Sequence, residues 1–331
     1  MSPTDVTLLR ELLTHGPEPV PGPHLAKLLG GVSRVAVWHH LQKLTREGCA
    51  IEAIPSRGYR LGSPAAVRLH AALLHAHLPR QRRPHIVCLD TVDSTNSEAE
   101  RRLAAGEPVP LVILAREQTK GRGRRGRPWH SAANGNLYST FVFRPETEPA
   151  RLQDFTLWMG LAVCSLLESF TRVRPGLKWP NDVLLDGRKI GGMLTEARVD
   201  ADQVRDLVYG LGLNLNGRAA DFPPELRGVA TSLAEVTGAP LDLNKFAAAL
   251  VSHLLRAYDR FFAGTYRTAF AELWERYDIL RGRPVTVIQG TRTVRGTAAG
   301  IDAEGSLLVR TARGETERFR AGEVTLGKDA A

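Results

Sequence analysis

The first sixty residues consist of short amphipathic segments separated by turn signals. Leucines four positions apart predict a helix over residues 7–13, and a second, shorter helix is predicted over residues 24–29. Gly30 and Gly31 end the second helix, and Ser33 is a suitable N-cap for a third that ends at Gly48. Two short strands, 50–54 and 59–61, are predicted to follow.

The third helix has two different faces. Its apolar face consists of Val37, Trp38, Leu41 and Leu44, and its polar face consists of Arg34, His39, Gln42, Lys43 and Arg46. This order of helices and strands predicts a winged helix-turn-helix. Residues 1–62 contain seven Lys or Arg and five Asp or Glu, a weak positive charge for a nucleic-acid binder. The basic helix face and Arg57 at the wing tip nevertheless favour DNA binding over a purely structural docking role. The expected DNA contacts are Ser33, Arg34, His39, Lys43 and Arg57.

Strands and helices alternate from residue 67 to about residue 270. Strands are predicted at 85–89, 111–115, 137–143, 183–185, 189–196 and 207–215, and long helices at 151–171 and 244–262. Asp186-Gly187 is a strong signal for a two-residue hairpin turn. Hairpins joined through helices predict an α+β domain with a mostly antiparallel sheet. The glycine-bearing strand 207–215 is a candidate edge strand at a dimer interface.

The helical periodicity stops after residue 280. Short strands separated by single glycines are predicted at 285–288, 291–301, 307–311 and 316–319. This spacing is typical of a small β-barrel.

Composition narrows the class of protein. A chain of 331 residues is expected to fold into two or three domains. It contains no apolar run of about 18 residues, so we expect no membrane span. Cys49, Cys88 and Cys164 lack metal-ligand spacing and indicate reduced thiols in a cytoplasmic protein. The net charge of +9 suggests an anionic partner without identifying it.

More than half of this surplus charge lies in one short segment. Residues 116–127 contain six Lys or Arg and one Glu, and residues 121–127, which we name the arginine loop, read GRGRRGR. Glycine permits close backbone approach, and arginine supplies paired donors for phosphate or carboxylate. The loop also spells G-x-G-x-x-G, but a turn at Asn134-Gly135 and a strand follow it rather than a helix, which excludes a Rossmann fingerprint. It is also too short for a disordered RGG segment.

Four further segments accompany the arginine loop. They are Asp93-Ser94-Thr95-Asn96, Lys178-Trp179-Pro180-Asn181-Asp182, Arg188-Lys189-Ile190-Gly191-Gly192 and Gly210-Leu211-Gly212-Leu213-Asn214. Each is weak alone, but in this order the chain resembles the biotin–protein ligase family from about residue 20 to the end. The first domain extends the resemblance to members that are also biotin-operon repressors. The resemblance implies a winged helix-turn-helix over 1–64, a class II synthetase-like catalytic domain over 67–275 and an SH3-like barrel over 280–327.

The resemblance also implies a two-step reaction. ATP and biotin react to form biotinyl-5′-AMP, and a lysine of a biotin carboxyl carrier domain then takes the biotin. By motif position, the residues that bind biotin or the adenylate are Ser94, Thr95, Asn96, Gln118, Arg122, Gly123, Arg124 and Lys189, with Arg124 and Lys189 as the catalytic pair. Trp129, Asn181 and Asn214 are expected near the nucleotide, and Asp182 at Mg²⁺. Operator DNA and a ligand-dependent homodimer are the other expected partners.

One departure and two alternatives accompany this interpretation. The turn Gly30-Gly31 carries one glycine more than is usual in the family, which leaves operator recognition open. The first alternative is a transcription regulator whose second domain only senses an effector. The second is a lipoate-type ligase, which would share the catalytic fold. Operator sequence, acceptor protein and resting oligomeric state are not encoded in any of these motifs.

Overall fold

The computed structural model describes residues 2–62, 68–79, 84–133 and 135–326. The predicted linker 62–65, apart from Gly62, lies outside the described residues. So do Asn134 of the predicted turn and position 327, where the predicted barrel ends. Within the described ranges, no helix combines the length and apolar character needed to cross a membrane.

The N-terminal unit, which we name the winged module, forms around buried leucines. Its elements are α1 (Pro3–His15), α2 (Gly22–Leu28), α3 (Arg34–Arg46), β1 (Ile51–Ile54) and β2 (Gly58–Leu61). The Ser2 hydroxyl accepts a hydrogen bond from the Thr4 amide at the start of α1, where Pro3 supplies a preset φ. Leu8 and Leu12 of α1 pack against Leu25 of α2 and Leu41 of α3. The predicted helix-turn-helix with a hairpin wing is confirmed.

Both glycines of the turn between α2 and α3 are needed. Gly30 and Gly31 have φ of +86° and +83°, a region that favours glycine. The Gly31 amide donates to the Ala26 carbonyl (2.9 Å) and the Gly30 amide to the Lys27 carbonyl (3.0 Å), which together form a Schellman motif. The Ser33 hydroxyl then accepts from the Ala36 amide (3.1 Å) and caps α3. The turn is therefore closed at both ends by standard caps.

One residue of α3 was assigned to the wrong face. Trp38 was predicted on the apolar side with Val37, Leu41 and Leu44, but it is 45% exposed whereas those three residues are buried. At 100° per residue, Trp38 lies with Arg34 and Gln42 on the solvent side rather than between Val37 and Leu41. A large apolar side chain was mistaken for a core residue.

A helix absent from the sequence predictions, α4 (Ala71–His77), joins the winged module to the rest of the chain. Ala72, Leu73 and Ala76 of α4 pack against α1 and the end of α3. Leu74 belongs instead to the main core. The Arg10 guanidinium donates to the carbonyls of His75 (2.8 Å), Ala76 (3.1 Å) and Leu78 (3.0 Å) at the C-terminal end of α4. These carbonyls have no partner inside the helix, so Arg10 acts as a cap supplied by α1.

The central unit is built on a sheet with seven strands in the described residues. The strands are β3 (His85–Val92), β4 (Leu111–Gln118), β5 (Leu137–Phe143), β6 (Gly176–Lys178), β7 (Asp182–Leu185), β8 (Arg188–Asp200) and β9 (Gln203–Leu213). Their order is β3-β4-β5-β9-β8-β7-β6, and only the pair β3–β4 is parallel. The mostly antiparallel α+β prediction is confirmed. The proposed edge position of strand 207–215 is wrong, because β9 lies between β5 and β8.

Helices cover both faces of this sheet. They are α5 (Thr95–Ala104), α6 (Phe155–Thr171), α7 (Leu233–Thr237), α8 (Leu243–Phe262) and α9 (Arg267–Tyr277). Leu111 and Ile113 of β4 pack towards α5, whereas Val112 and Leu114 face the main core with α6 and α8. Alternate residues of one strand therefore enter two different cores, as the pleat requires.

The C-terminal segment forms an antiparallel sheet that shares the main core. Its strands are β10 (Pro284–Gln289), β11 (Arg292–Ile301), β12 (Leu307–Thr311), β13 (Thr316–Phe319) and β14 (Glu323–Leu326), in the order β13-β12-β11-β10-β14. Val285, Leu307 and Phe319 are buried in the same cluster as the helices of the central unit. The Trp179 indole donates to the Gly305 carbonyl at 3.0 Å and adds a polar link.

Removing the Arg10 cap should weaken the attachment of the winged module. Because three helix-end carbonyls lose a charged donor, Arg10→Ala should lower the free energy of unfolding by about 2 kcal/mol, the scale for hydrogen bonds to a charged group. The measurement is urea denaturation followed by circular dichroism. Arg46→Ala, at an exposed position of α3, is the control. Equal denaturation midpoints for the two variants would contradict a capping role.

Candidate functional site

All but one of the predicted ligand residues converge on one cavity of about 300 Å³ beside the central sheet. The arginine loop, the N-terminus of α5 and strands β7, β8 and β9 supply its walls. The residues predicted from sequence that line it are Ser94, Thr95, Asn96, Gln118, Arg122, Gly123, Arg124, Trp129, Asn181, Asp182 and Lys189. Positions as far apart in sequence as Ser94 and Lys189 thus face one volume.

The floor of the cavity is polar and buried. Ser94, Thr95 and Asn96, each 4% exposed, stand at the start of α5, where backbone amides face outward. The Gln118 side-chain oxygen accepts from the Thr95 amide (2.8 Å) and hydroxyl (3.1 Å), and its amide donates to the Ser131 hydroxyl (2.9 Å). Gln118 therefore fixes the orientation of Thr95 as well as lining the cavity.

Glu196 holds two cavity residues in position, and its role was not predicted from the sequence. Its carboxylate accepts from the Asn96 side-chain amide (2.6 Å) and from the Arg122 guanidinium (3.2 Å). Arg122 also contacts Glu100 of α5 at 3.0 Å. A Cβ at Gly210 would lie 2.3 Å from the Asn96 side-chain oxygen, so this strand position has to be glycine. No local motif signals Glu196, because its partners lie on other elements.

The arginine loop has a defined backbone. The Gly123 amide donates to the Arg127 carbonyl (2.7 Å), and the Trp129 amide donates to the Gly121 carbonyl (2.8 Å). Arg125, with φ of +57°, reverses the chain between these bonds. The loop is therefore a closed turn with its side chains directed to different partners.

Three arginines of the loop contact the C-terminal sheet. Arg127 and Arg125 pair with Glu323 of β14, at 2.6 Å and 3.4 Å. Arg124 donates to the Asn181 side-chain oxygen (3.1 Å) and to the Gly322 carbonyl (3.3 Å). Sequence analysis predicted neither β14 nor Glu323. The C-terminal sheet thus holds one side of the loop in place.

Two lysines and an aspartate form the charged centre. Lys189 contacts Asp182 at 2.7 Å, and Lys178 lies 4.0 Å from the same carboxylate. The Lys189 ammonium also lies 5.0 Å from the centre of the Trp129 ring. Burial lowers the pKa of Lys178 and of Arg124, because a buried cation loses hydration. The charged forms of these two side chains are therefore destabilised by burial, and a bound anion would offset that cost.

A second cavity of about 440 Å³ adjoins the first and shares Trp129, Lys178, Asp182 and Lys189 with it. Asn214, the remaining predicted nucleotide residue, lines this second cavity. The Trp129 indole lies flat against two strands, since a Cβ at Gly192 or Gly212 would come within 2.9 Å or 2.6 Å of it. Trp129 thereby separates the two cavities. Gly192 and Gly212 are needed because a larger residue at either position would collide with the indole.

The arrangement can bind two anions side by side. Arg122 Nε and Trp129 Nε1 are buried and have no hydrogen-bond partner among the described residues, and both side chains line the first cavity. In the described part of the chain, no three His, Cys, Asp or Glu side chains form a metal-binding group. Asp182 and Glu323 are the carboxylates that line the first cavity, and Glu323 is already paired with Arg125 and Arg127. Asp182 therefore fits a Mg²⁺ carried in by phosphates rather than a protein cage.

The expected DNA contacts of the winged module differ in availability. Arg34 and His39 are exposed on α3. Lys43 contacts Asp5 at 2.8 Å and Arg57 contacts Glu18 at 3.0 Å, so each already has an acidic neighbour. The Ser33 hydroxyl serves as the cap of α3.

Three family models match separate parts of the chain. Residues 6–60 match an HTH domain, residues 88–214 the biotin/lipoate A/B protein ligase family, and residues 281–327 the biotin protein ligase C terminal domain. The cavity lies between the segments covered by the second and third models.

Relatives match over nearly the whole length. The bifunctional ligase/repressor BirA of Bacillus subtilis is 31% identical over 94% of this chain and 95% of its own. BirA of Escherichia coli is 31% identical over 92% of each chain. The chain belongs to the family of bifunctional biotin–protein ligase/repressors. A biotin protein ligase from Aquifex aeolicus, solved in complex with biotin and ATP, superposes with a TM-score of 0.63 at 29% identity, over 74% of this chain and 99% of that one.

Membership of this ligase/repressor family agrees with the two sites found above. The cavity lies in the part that matches the ligase models, and the exposed face of α3 lies in the part that matches the HTH domain.

The anchor between the arginine loop and the C-terminal sheet can be tested with trypsin, which cleaves after arginine. Glu323→Gln removes the partner of Arg125 and Arg127 and should accelerate cleavage within the loop about threefold, since partly exposed ion pairs are worth roughly 0.5–1 kcal/mol. Mass spectrometry of timed digests measures the rate. Glu317→Gln, which removes the partner of Arg292 on the same sheet, should leave that rate unchanged. Equal cleavage in both variants would mean that Glu323 does not hold the loop.

Proposed function

We propose that this protein activates biotin with ATP to form biotinyl-5′-AMP and transfers biotin to a lysine of a biotin carboxyl carrier domain. We further propose that its winged module represses transcription from an operator when the adenylate is bound. The observation that carries the ligase activity is the pair of joined cavities whose shared wall holds Lys178, Lys189 and Trp129. Two anions can meet there beside fixed cations.

The first step needs cations more than it needs a protein nucleophile. An oxygen of the biotin carboxylate attacks the α-phosphorus of ATP, and the bond to the pyrophosphate breaks. Arg122, Arg124 and Lys189 reduce the repulsion between the two anions and stabilise the charge that develops on the phosphoryl oxygens. In the second step the lysine amine of the carrier domain attacks the carbonyl carbon of the mixed anhydride, and AMP leaves.

We assign biotin to the first cavity and the adenine to the second. The buried Ser94, Thr95 and Asn96 and the half-buried Gln118 form the polar floor that suits the neutral polar end of biotin. The backbone of Gly123 lets the loop approach the adenylate closely. On the other side, the Trp129 ring supplies a flat surface for adenine, and Asn214 lines the same volume.

Asn181 acts differently from the other nucleotide residues. Its side-chain oxygen accepts from Arg124, and its amide donates to the Met193 carbonyl at 2.8 Å. We therefore assign Asn181 to positioning Arg124 rather than to direct recognition of the base.

We assign Asp182 to a Mg²⁺ ion that enters with the ATP phosphates. The ion would neutralise phosphate charge while Lys189 and Arg124 act on the reacting oxygens. The contact between Asp182 and Lys189 also holds the lysine at the boundary of the two cavities.

For the repressor activity, the partners are operator DNA and a second copy of the chain. A dimer places two winged modules on one duplex and suits a palindromic operator. Relatives named bifunctional ligase/repressor support the pairing of the two activities in one chain. We place the protein in the cytoplasm, where its carboxylase acceptor and its operator are both accessible.

Two other functions are less well supported. A regulator that only senses an effector would not need Lys189 at the boundary of the two cavities, with Arg124 in the first. A lipoate-type ligase would share the fold, but relatives with a winged domain and full-length similarity carry ligase/repressor names.

One assay separates these functions. Radiolabelled pyrophosphate should exchange into ATP when biotin is present, and not with lipoate or octanoate at the same concentration. A pure sensor would show no exchange with any of the three acids. Exchange with lipoate or octanoate that equals or exceeds exchange with biotin would assign the protein to the other ligase type.

A further inference from the structure

Exposed large apolar side chains concentrate on the winged module. Among the described residues they are Leu28, Val32, Val35, Trp38, Val199 and Val229, and the first four lie in or beside the turn between α2 and α3. Val35 is 63% exposed and Trp38 is 45% exposed, both within the first turns of α3. The core of the module is complete without them, because Val37, Leu41 and Leu44 fill it.

These side chains belong to a defined solvent face. The exposed positions of α3 repeat at helical spacing and comprise Arg34, Val35, Trp38, His39, Gln42, Thr45 and Arg46. The face contains two arginines and no acidic residue. The rings of Trp38 and His39 are 4.9 Å apart in an edge arrangement, which restricts how Trp38 can turn. Val35, a β-branched residue, is equally restricted by its helix position.

We propose that Val35 and Trp38 recognise thymine methyl groups in the major groove of the operator. This inference rests on the repressor function proposed above. A major groove admits one α-helix, and thymine alone among the bases presents a methyl group there, which apolar side chains contact. The N-terminal end of a recognition helix is the end that meets base edges, and both residues lie at that end of α3. The operator half-site therefore contains thymines where these side chains approach.

Charge favours DNA over a second copy of the chain as the occupant. A face with two arginines and no carboxylate suits the phosphates that border a groove, and would repel an identical face related by twofold symmetry. The apolar part is also small. A stable protein interface needs roughly 800 Å² per partner, more than four separated side chains supply.

Ion pairs elsewhere on the module increase the weight of this apolar contact. Lys43 and Arg57, expected to bind phosphates, are already paired with Asp5 and Glu18. Lys43 must leave the buried Asp5 carboxylate before it can bind a phosphate, so it contributes less to affinity than an unpaired cation would. The Arg57–Glu18 pair is exposed and is therefore weak. Phosphate contacts carry no sequence information, so Lys43 and Arg57 do not supply the operator selectivity that we assign to Val35 and Trp38.

The test starts by selecting the preferred sequence from a randomised DNA duplex library in the presence of biotin and ATP. Each thymine of that sequence is then replaced by deoxyuridine, which removes only the methyl group, and affinity is measured by gel shift. For wild-type protein, one or more replacements should weaken binding about fourfold, the factor that corresponds to about 0.8 kcal/mol for one buried methyl group. Val35→Ala and Trp38→Ala should each abolish the effect at their own thymines. Thr45→Ala, on the same face but ~10 Å beyond Trp38 and ~15 Å beyond Val35 along the helix, should keep the wild-type pattern.

Other results would overturn the proposal in distinguishable ways. If no deoxyuridine replacement matters, or if its effect is the same in wild type and both apolar variants, thymine recognition fails while DNA binding stands. If the variants instead shift sedimentation of the protein without DNA, the face is an interface between copies. If the selection enriches no sequence although pyrophosphate exchange is normal, the repressor function fails and this inference with it.

Discussion

The structure depends on how the positive charge of the arginine loop is neutralised. Five surplus cations in a dozen residues repel one another. Carboxylates from distant elements form ion pairs with the arginines of the loop: Glu100 of α5, Glu196 of β8 and Glu323 of β14. The shape of the loop therefore depends on the positions of the central sheet, of α5 and of the C-terminal sheet. The same arginines are then available to exchange a protein carboxylate for the anion of a substrate at little net electrostatic cost.

Shape and charge are coupled through Trp129. Glycines at 192 and 212 let its ring lie on the sheet, and the ring in turn contacts Lys189 and divides one concave region into two cavities. Lys189 and Asp182 line both cavities at this division, and Arg124 lines the first. A Cβ on either glycine would displace the ring, so two small residues control the geometry of the charged centre.

Local signals predicted much of this fold. Caps, periodicity and turn residues placed the winged module and most strands, and the motif segments did converge on one cavity. Features set by distant contacts could not be predicted. Glu196 and Glu323 meet the loop across 74 and 196 residues, and α4 is short and buried on two sides, so it lacks a clear amphipathic pattern. Trp38 was misplaced because hydrophobicity alone does not distinguish a core position from an exposed one.

The central claim is that fixed cations, not a protein nucleophile, drive adenylate formation. Biotin-dependent exchange of pyrophosphate into ATP by Lys189→Gln tests it most directly, because the substitution keeps the size of the side chain but removes the charge at the boundary of the two cavities. Lys245→Gln, on an exposed position of α8, is the matched control. The account predicts a loss of roughly 100–1000-fold for Lys189→Gln, the range for one preorganised donor, with unchanged folding. A loss below about fivefold in a folded variant would contradict it.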